Sequence, residues 1–349
     1  MKTHAASISQ RKQDHLDLCL GGAVQSVSGP DWEKVRLPHR ALPEVDLAEV
    51  DLSADFLGKR YSAPLMISSM TGGAEKGERL NRRLAEFAER KKIPMGVGSL
   101  RVALENREYG FFSSLRRAAP TASLFANIGA VQLNYGVSAD DCRWMIDHIE
   151  ADALILHCNP LQEAIQEEGD RDFSAILRKI EGIRRFLGVP LILKETGCGI
   201  DSVTAARAIG AGVDAIDVAG RGGTHWGLIE GMRSPRRRAL GEMFKDWGNG
   251  SAAATLECVR AVAGRVPVVA SGGIRSGLDM VKALYLGASF CGMALPFLKA
   301  ADSGEEALEE FWELHTEALR IALFCMGRKM ISPPEPDEAV SSVRFIEPG

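Results

Sequence analysis

The sequence predicts an α/β fold, a (β/α)8 TIM barrel with an irregular N-terminal extension and a C-terminal helical extension. From Ala63 onward, short apolar runs ending in small or polar residues alternate with longer segments of helical period, the signature of parallel βαβ units. Eight such units follow one another, and eight over about 250 residues match a closed barrel better than an open doubly wound sheet. The composition, 46% hydrophobic and 25% charged, is that of a well-cored globular chain.

The expected strands run from Leu65 to Ser69, Ile93 to Val97, Ser123 to Asn127, Ala153 to His157, Leu191 to Lys194, Ala215 to Val218, Val266 to Ala270 and Ala288 to Cys291. Helical period marks Glu75 to Lys92, Ala139 to Glu150, Asp172 to Leu187, Ser202 to Gly210, Ala252 to Gly264, Ser276 to Leu286 and Glu305 to Phe324. Residues 1–62 carry Gly21-Gly22, Pro30, Pro38 and Pro43 with weak periodicity, and read as an extension that wraps or lids the barrel of residues 63–349. The stretch from Gly220 to Gly250 is long for a barrel connection and holds Arg233, Arg236, Arg237 and Arg238, so it reads as a functional lid or a partly disordered loop.

Forty-two Lys plus Arg against forty-six Asp plus Glu give a net charge of −4. That argues against a nucleic-acid-binding or anionic-membrane surface and leaves room only for a local anion site. No apolar stretch approaches a membrane span, and the first ten residues lack the apolar centre of a secretory signal. The seven cysteines include no CxxC pair, which points to reduced thiols in the cytoplasm. Glycine is enriched, with 36 residues where average usage of about 7% would give roughly 24.

In a barrel the site is built at the C-terminal strand ends, and here those ends are chemically rich. The first gives Ser68-Ser69-Met70-Thr71-Gly72-Gly73, the second Gly98-Ser99-Leu100-Arg101 and the third Asn127-Ile128-Gly129. The fourth gives His157-Cys158-Asn159-Pro160-Leu161-Gln162-Glu163: an imidazole, two amides and a carboxylate within seven residues. The fifth ends in Lys194-Glu195, where a lysine after a buried apolar run needs a polar or anionic partner. The sixth leads into Gly222-Gly223-Thr224-His225-Trp226, the seventh into Ser271-Gly272-Gly273-Ile274-Arg275 and the eighth into Ala294-Leu295-Pro296. Glycine turns after strands seven and eight, opening helices whose free N–H groups favour anions, form the usual phosphate site of this fold. Together with Lys194, able to stabilise a reduced flavin, they suggest flavin mononucleotide (FMN).

These segments, with Arg11-Lys12 and His15 before them, resemble in order the type 2 isopentenyl diphosphate isomerases from about residue 11 to 298. The resemblance implies interconversion of isopentenyl and dimethylallyl diphosphate by a 1,3 proton shift in isoprenoid biosynthesis. It further implies reduced FMN, Mg²⁺, NADPH or another reductant, and a homo-oligomer, tetramer or larger. It places Arg11, Lys12, Ser99, Arg101, Asn159 and Gln162 at the allylic or homoallylic diphosphate, Gln162 and His157 as catalytic groups, and Glu163 as the Mg²⁺ ligand. FMN would be held by Ser69, Met70, Thr71, Ser99, Asn127, Lys194, Thr224, Gly273, Ile274, Arg275, Ala294 and Leu295.

The sequence departs from the family at Leu100, where Gln is common, and at His225, where a small polar residue is common. The first weakens the substrate contact expected from that loop; the second introduces either a pH-sensitive group near the flavin or a solvent-facing loop residue. Two alternatives remain open on the residues alone: an FMN-dependent oxidoreductase of the barrel class, for which Cys198 invites a nucleophile reading, and a catalytically silent flavin- or diphosphate-binding sensor.

Overall fold

The computed structural model describes residues 2–70, 75–107 and 109–331, with side chains from Gln10 onward. Thr71, Gly72 and Gly73 lie outside the described residues. A two-stranded antiparallel hairpin, β1 (Ala54–Phe56) and β2 (Lys59–Tyr61), precedes the barrel. The barrel strands are β3 (Leu65–Ile67), β4 (Met95–Gly96), β5 (Leu124–Gly129), β6 (Ala153–Cys158), β7 (Leu191–Glu195), β8 (Ala215–Asp217), β9 (Val268–Ser271) and β10 (Phe290–Met293). They pair in parallel and close in the order β10-β3-β4-β5-β6-β7-β8-β9. All eight expected strands are present.

The strands read as continuous apolar runs because both faces are covered; every residue of β5 and β7 is buried. The N-terminal end of the barrel is filled by Phe56 and Tyr61 of the hairpin packed with Phe125, Ile155, Ile192 and Phe290. Phe56 stacks on Phe290 at 4.9 Å, and the Tyr61 hydroxyl donates to Ser123 Oγ at 2.8 Å. This leaves the opposite, C-terminal mouth as the open end.

Local signals set several helix boundaries. Ser138 and Asp141 close a capping box on Ala139–Ile149, and Ser276 and Asp279 close another on Gly277–Tyr285. The helix expected from Asp172 begins only at Ile176, because the Asp172 carboxylate accepts from Ser174 N at 2.9 Å and Ala175 takes a left-handed conformation at φ 53°.

Two expectations are corrected. The extension is not irregular throughout: Lys2–Gly21 is a 20-residue helix whose Lys12, His15, Leu16 and Cys19 share one buried face. Polar Lys12 and His15 on that face hide the apolar period. The 220–250 segment holds two helices, Trp226–Arg233 and Arg238–Met243. They meet at glycines, where a Cβ on Gly231 would lie 2.8 Å from Gly241 Cα.

Candidate active site

The mouth encloses a cavity of about 460 Å³, within the range of cofactor and substrate sites. Every described residue proposed for the site lines it: Arg11, Lys12, Ser69, Met70, Ser99, Arg101, Asn127, His157, Asn159, Gln162, Glu163, Lys194, Thr224, Gly273, Ile274, Arg275, Ala294 and Leu295.

One wall is made by β6 and the N-terminal helix. Asn159 ends β6 and precedes the short helix Pro160–Ile165, so Gln162 and Glu163 leave its first turn beside Asn159. Asn159 Nδ2 donates to Gln162 Oε1 at 3.1 Å and to Glu163 Oε1 at 3.0 Å, while Asp170 N donates to Glu163 Oε2 at 2.8 Å. Burial raises the Glu163 pKa, and the neighbouring Asp170 charge adds to it against these hydrogen bonds and Arg101. Among the described residues no group of three or more His, Cys, Asp or Glu side chains converges to hold a metal. A divalent cation at Glu163 would need oxygens from a bound ligand, as Mg²⁺ beside a phosphate does.

The N-terminal helix brings Arg11 and Lys12 to the same wall. Lys12 is 8% exposed and its Nζ is buried without a hydrogen-bond partner. Burial, then the charge of Arg11, lowers its pKa to about 8 against the pull of Glu105 and Glu78. Such an ammonium lacks only an anion. Arg101 is held by Asp170 Oδ2 at 2.8 Å and Glu105 Oε1 at 3.2 Å. Leu100 beside it is fully buried in the core, so that position offers the cavity no polar group.

His157 Nδ1 lies 2.7 Å from Asn127 Oδ1. Burial, then the charge of Lys194, pushes its pKa down to about 4. The ring is therefore neutral near pH 7; facing an amide oxygen, Nδ1 donates and Nε2 is left as an acceptor.

The opposite wall comes from β8, β9, β10 and β3. Gly273, at φ 69°, would place a Cβ 2.5 Å from Gly222 O, so only glycine lets the β8 and β9 turns approach here. The helix Gly277–Tyr285 after β9 is closed by its own capping box, which corrects the expectation that both helix ends at the seventh and eighth strands are open to an anion. The open end is that of Leu295–Ser303, which lacks a side-chain cap and whose Ala294 and Leu295 line the cavity. The Arg275 guanidinium is engaged with Gln25 Oε1 (2.8 Å), Gly222 O (2.9 Å) and Gly273 O (3.1 Å), so it braces the turn against the N-terminal segment. Ser68 and Ser69 present buried hydroxyls without partners. An uncapped helix end, orphaned hydroxyls, a close glycine turn and the ammonium of Lys194 fit a flat heteroaromatic cofactor carrying a phosphate.

Sequence reasoning missed a buried network behind these walls. Glu230 Oε1 meets His15 Nε2 at 2.9 Å and accepts from Gln162 Nε2 at 2.9 Å; Arg233 Nη1 donates to Oε2 at 2.6 Å. Gln166, with its amide nitrogen toward Glu230 (3.3 Å), offers its oxygen to Arg11 Nη1 at 3.2 Å. Trp226 lines the cavity with its ring edge to His15 at 5.1 Å. The spacing Trp226, Glu230, Arg233 was a helical signal inside the segment read as a loop. His225 does neither thing considered for it: it is fully buried, caps the helix by accepting from Leu228 N at 3.1 Å, and is not among the residues lining the cavity.

Comparison with known proteins decides between the flavin-barrel families. Residues 137–339 match the family model described as FMN-dependent dehydrogenase. The chain is 48% identical over 329 residues to the isopentenyl-diphosphate delta-isomerase of Nostoc sp., covering 93% of each chain. It is 48% identical to the enzyme of that name from Synechococcus sp., covering 92% of each. The chain belongs to the type 2, FMN-dependent isopentenyl-diphosphate delta-isomerases. A flavocytochrome b2 structure, 18% identical with a TM-score of 0.72 over 96% of this chain and 85% of its own, shares the barrel fold. The nucleophile alternative at Cys198 fails on chemistry: burial, then the charge of Glu195, raises its thiol pKa and keeps it protonated.

Proposed function

We propose that this protein interconverts isopentenyl diphosphate and dimethylallyl diphosphate by a 1,3 proton shift in isoprenoid biosynthesis, with reduced FMN in the cavity and Mg²⁺ beside Glu163. What carries this reading is one arrangement: Arg11 and Lys12 from the N-terminal helix line the same cavity as Asn159, Gln162 and Glu163, the glycine turns and the open helix end.

Arg11, Lys12 and Arg101 bind the diphosphate, with Ser99 beside them. Lys12 Nζ is the donor the structure leaves unsatisfied. Glu163 holds Mg²⁺ against the same phosphates, and Asn159 orients both Glu163 and Gln162. Gln162 is fixed at both ends of its amide, by Asn159 and Glu230, so it presents one set orientation to the hydrocarbon. His157, neutral and tied to Asn127, accepts a hydrogen bond without adding positive charge where a cation-like carbon would develop.

FMN would be held by Ser69, Met70 and Thr71, by Ser99 and Asn127, by Lys194 and Thr224, by the Gly273-Ile274-Arg275 turn and by Ala294-Leu295. When bound and reduced, it supplies an electron-rich ring able to give and take a proton at the reacting carbons. NADPH or another reductant keeps it reduced, with no electrons passing to product.

We place the enzyme in the cytoplasm as a homo-oligomer, tetramer or larger, without nucleic-acid or membrane partners. No described helix is long and apolar enough to cross a membrane. The described cysteines are all free, and exposed Met243 and Trp247 offer apolar surface to another copy. Residues 1–62 act as the extension that supplies the basic groups to the barrel of residues 63–349. The test is to reconstitute the protein with FMN, reduce it without oxygen and add isopentenyl diphosphate with or without Mg²⁺. Dimethylallyl diphosphate formed only with both cofactors supports the reading, and flavin uptake without product under any condition defeats it.

A further inference from the structure

The ends of β6, β7, β8 and β9 carry a row of polar groups, only part of which the isomerase reading uses. His157 pairs in register with Lys194, and Lys194 with Asp217. Lys194 and Ser271 line the cavity; Asp217, with no exposed surface, lies behind that lining. Lys194 Nζ is 3.1 Å from Asp217 Oδ2, with side chains 9% and 1% exposed. The other carboxylate oxygen, Oδ1, accepts from Ser271 Oγ, which in turn accepts from Ala219 N at 3.1 Å. The carboxylate is thus hydrogen-bonded from β9 through Oδ1, while Oδ2, buried and without a hydrogen bond of its own, lies within ion-pair distance of one ammonium on β7.

We propose that Asp217 is a positioning residue for Lys194, keeping its ammonium charged and directed into the mouth, and so sets how strongly the site favours reduced over oxidised flavin. The inference rests on the reading of this cavity as the FMN site. Two effects compete when the carboxylate is removed. If the ammonium stayed charged, loss of the facing negative charge would favour an electron-rich flavin further. If the ammonium cannot stay charged in so buried a place, the site loses its cation. Removing one partner of a buried ion pair leaves the other an uncompensated charge that the interior does not sustain, so the second effect wins. Asp217 is then the reason a cation faces the flavin at all.

The experiment compares wild type, Asp217→Asn, Lys194→Met and the double variant. FMN affinity is measured by fluorescence quenching, and the two-electron midpoint potential by equilibration with a reference dye without oxygen. We expect Asp217→Asn to bind oxidised FMN within threefold of wild type and reduced FMN at least tenfold more weakly, lowering the potential by about 30 mV per tenfold. Lys194→Met lowers it as well, and the double variant goes no lower than Lys194→Met, because both act through one charge. Ser271→Ala, which removes a single support of the carboxylate, gives a smaller fall of the same sign and keeps the question open to test should Asp217→Asn not fold. An unchanged or raised potential in Asp217→Asn or Ser271→Ala overturns the proposal, as does a double variant whose fall is the sum of the two singles. Wild type that takes up no FMN overturns instead the cofactor reading on which the proposal stands.

Discussion

Replacing Glu230 by glutamine keeps the shape of the hub that joins the N-terminal helix to Gln162 and removes its charge. Burial alone would raise the carboxyl pKa, but His15, Gln162 and Arg233 outweigh it and lower it from 4.5 to about 2. Because the side chain is fully buried, solvent does little to screen this preference, and a fall from 4.5 to about 2 is worth about 3 kcal/mol at neutral pH. The folded-state value lies below the unfolded one. The contribution is therefore complete above pH 4.5 and is lost as the pH falls toward 2. Glu230→Gln should cost about 3 kcal/mol at pH 7 and about 1 kcal/mol near pH 3 by the same linkage. Urea unfolding of both proteins at the two pH values reads this directly. A loss of the same size at both, or less than about 1 kcal/mol at pH 7, would refute an ionised hub.

Other perturbations reach the walls of the cavity. Gly273→Ala forces a side chain into the left-handed region and against Gly222 O; FMN uptake, followed by fluorescence, should fall at least about tenfold, with about 1–3 kcal/mol of stability lost. Lys12 is cationic below about pH 8 and neutral above it. Calorimetric affinity for an unreactive alkyl diphosphate should therefore weaken by up to about tenfold from pH 7 to 9, and Lys12→Gln should bind weakly at both without this step. Glu163→Gln keeps the side chain's shape but not its charge; Mg²⁺-dependent turnover should vanish while FMN affinity stays within twofold, a split that titration and a product assay resolve.

How far the sequence led depends on which period each segment shows. The eight barrel strands are apolar runs between turn residues, so β3 to β10 could be read directly, and the described residues proposed for the site line the cavity at their ends. The Lys2–Gly21 helix escaped because its buried face is built from Lys12 and His15 as well as Leu16 and Cys19. The Trp226–Arg233 helix escaped because glycines and arginines masked a segment whose Glu230 points inward to a polar network. Pairings such as Lys194 with Asp217 depend on the register between neighbouring strands, which apolar runs alone do not fix. The phosphate end was narrowed in the same way: the Gly272-Gly273 turn suggested an open helix, but Ser276 and Asp279 close it and leave the end at Leu295.

The central claim is tested most directly by counting turnovers against electrons. Protein holding one equivalent of reduced FMN, sealed from oxygen with no further reductant, is given a hundredfold excess of isopentenyl diphosphate and Mg²⁺. Product and flavin spectrum are then followed together. The account predicts dimethylallyl diphosphate far beyond one equivalent while the flavin remains reduced; substrate consumption that stops at one equivalent, with a saturated diphosphate formed as the flavin becomes oxidised, would contradict it.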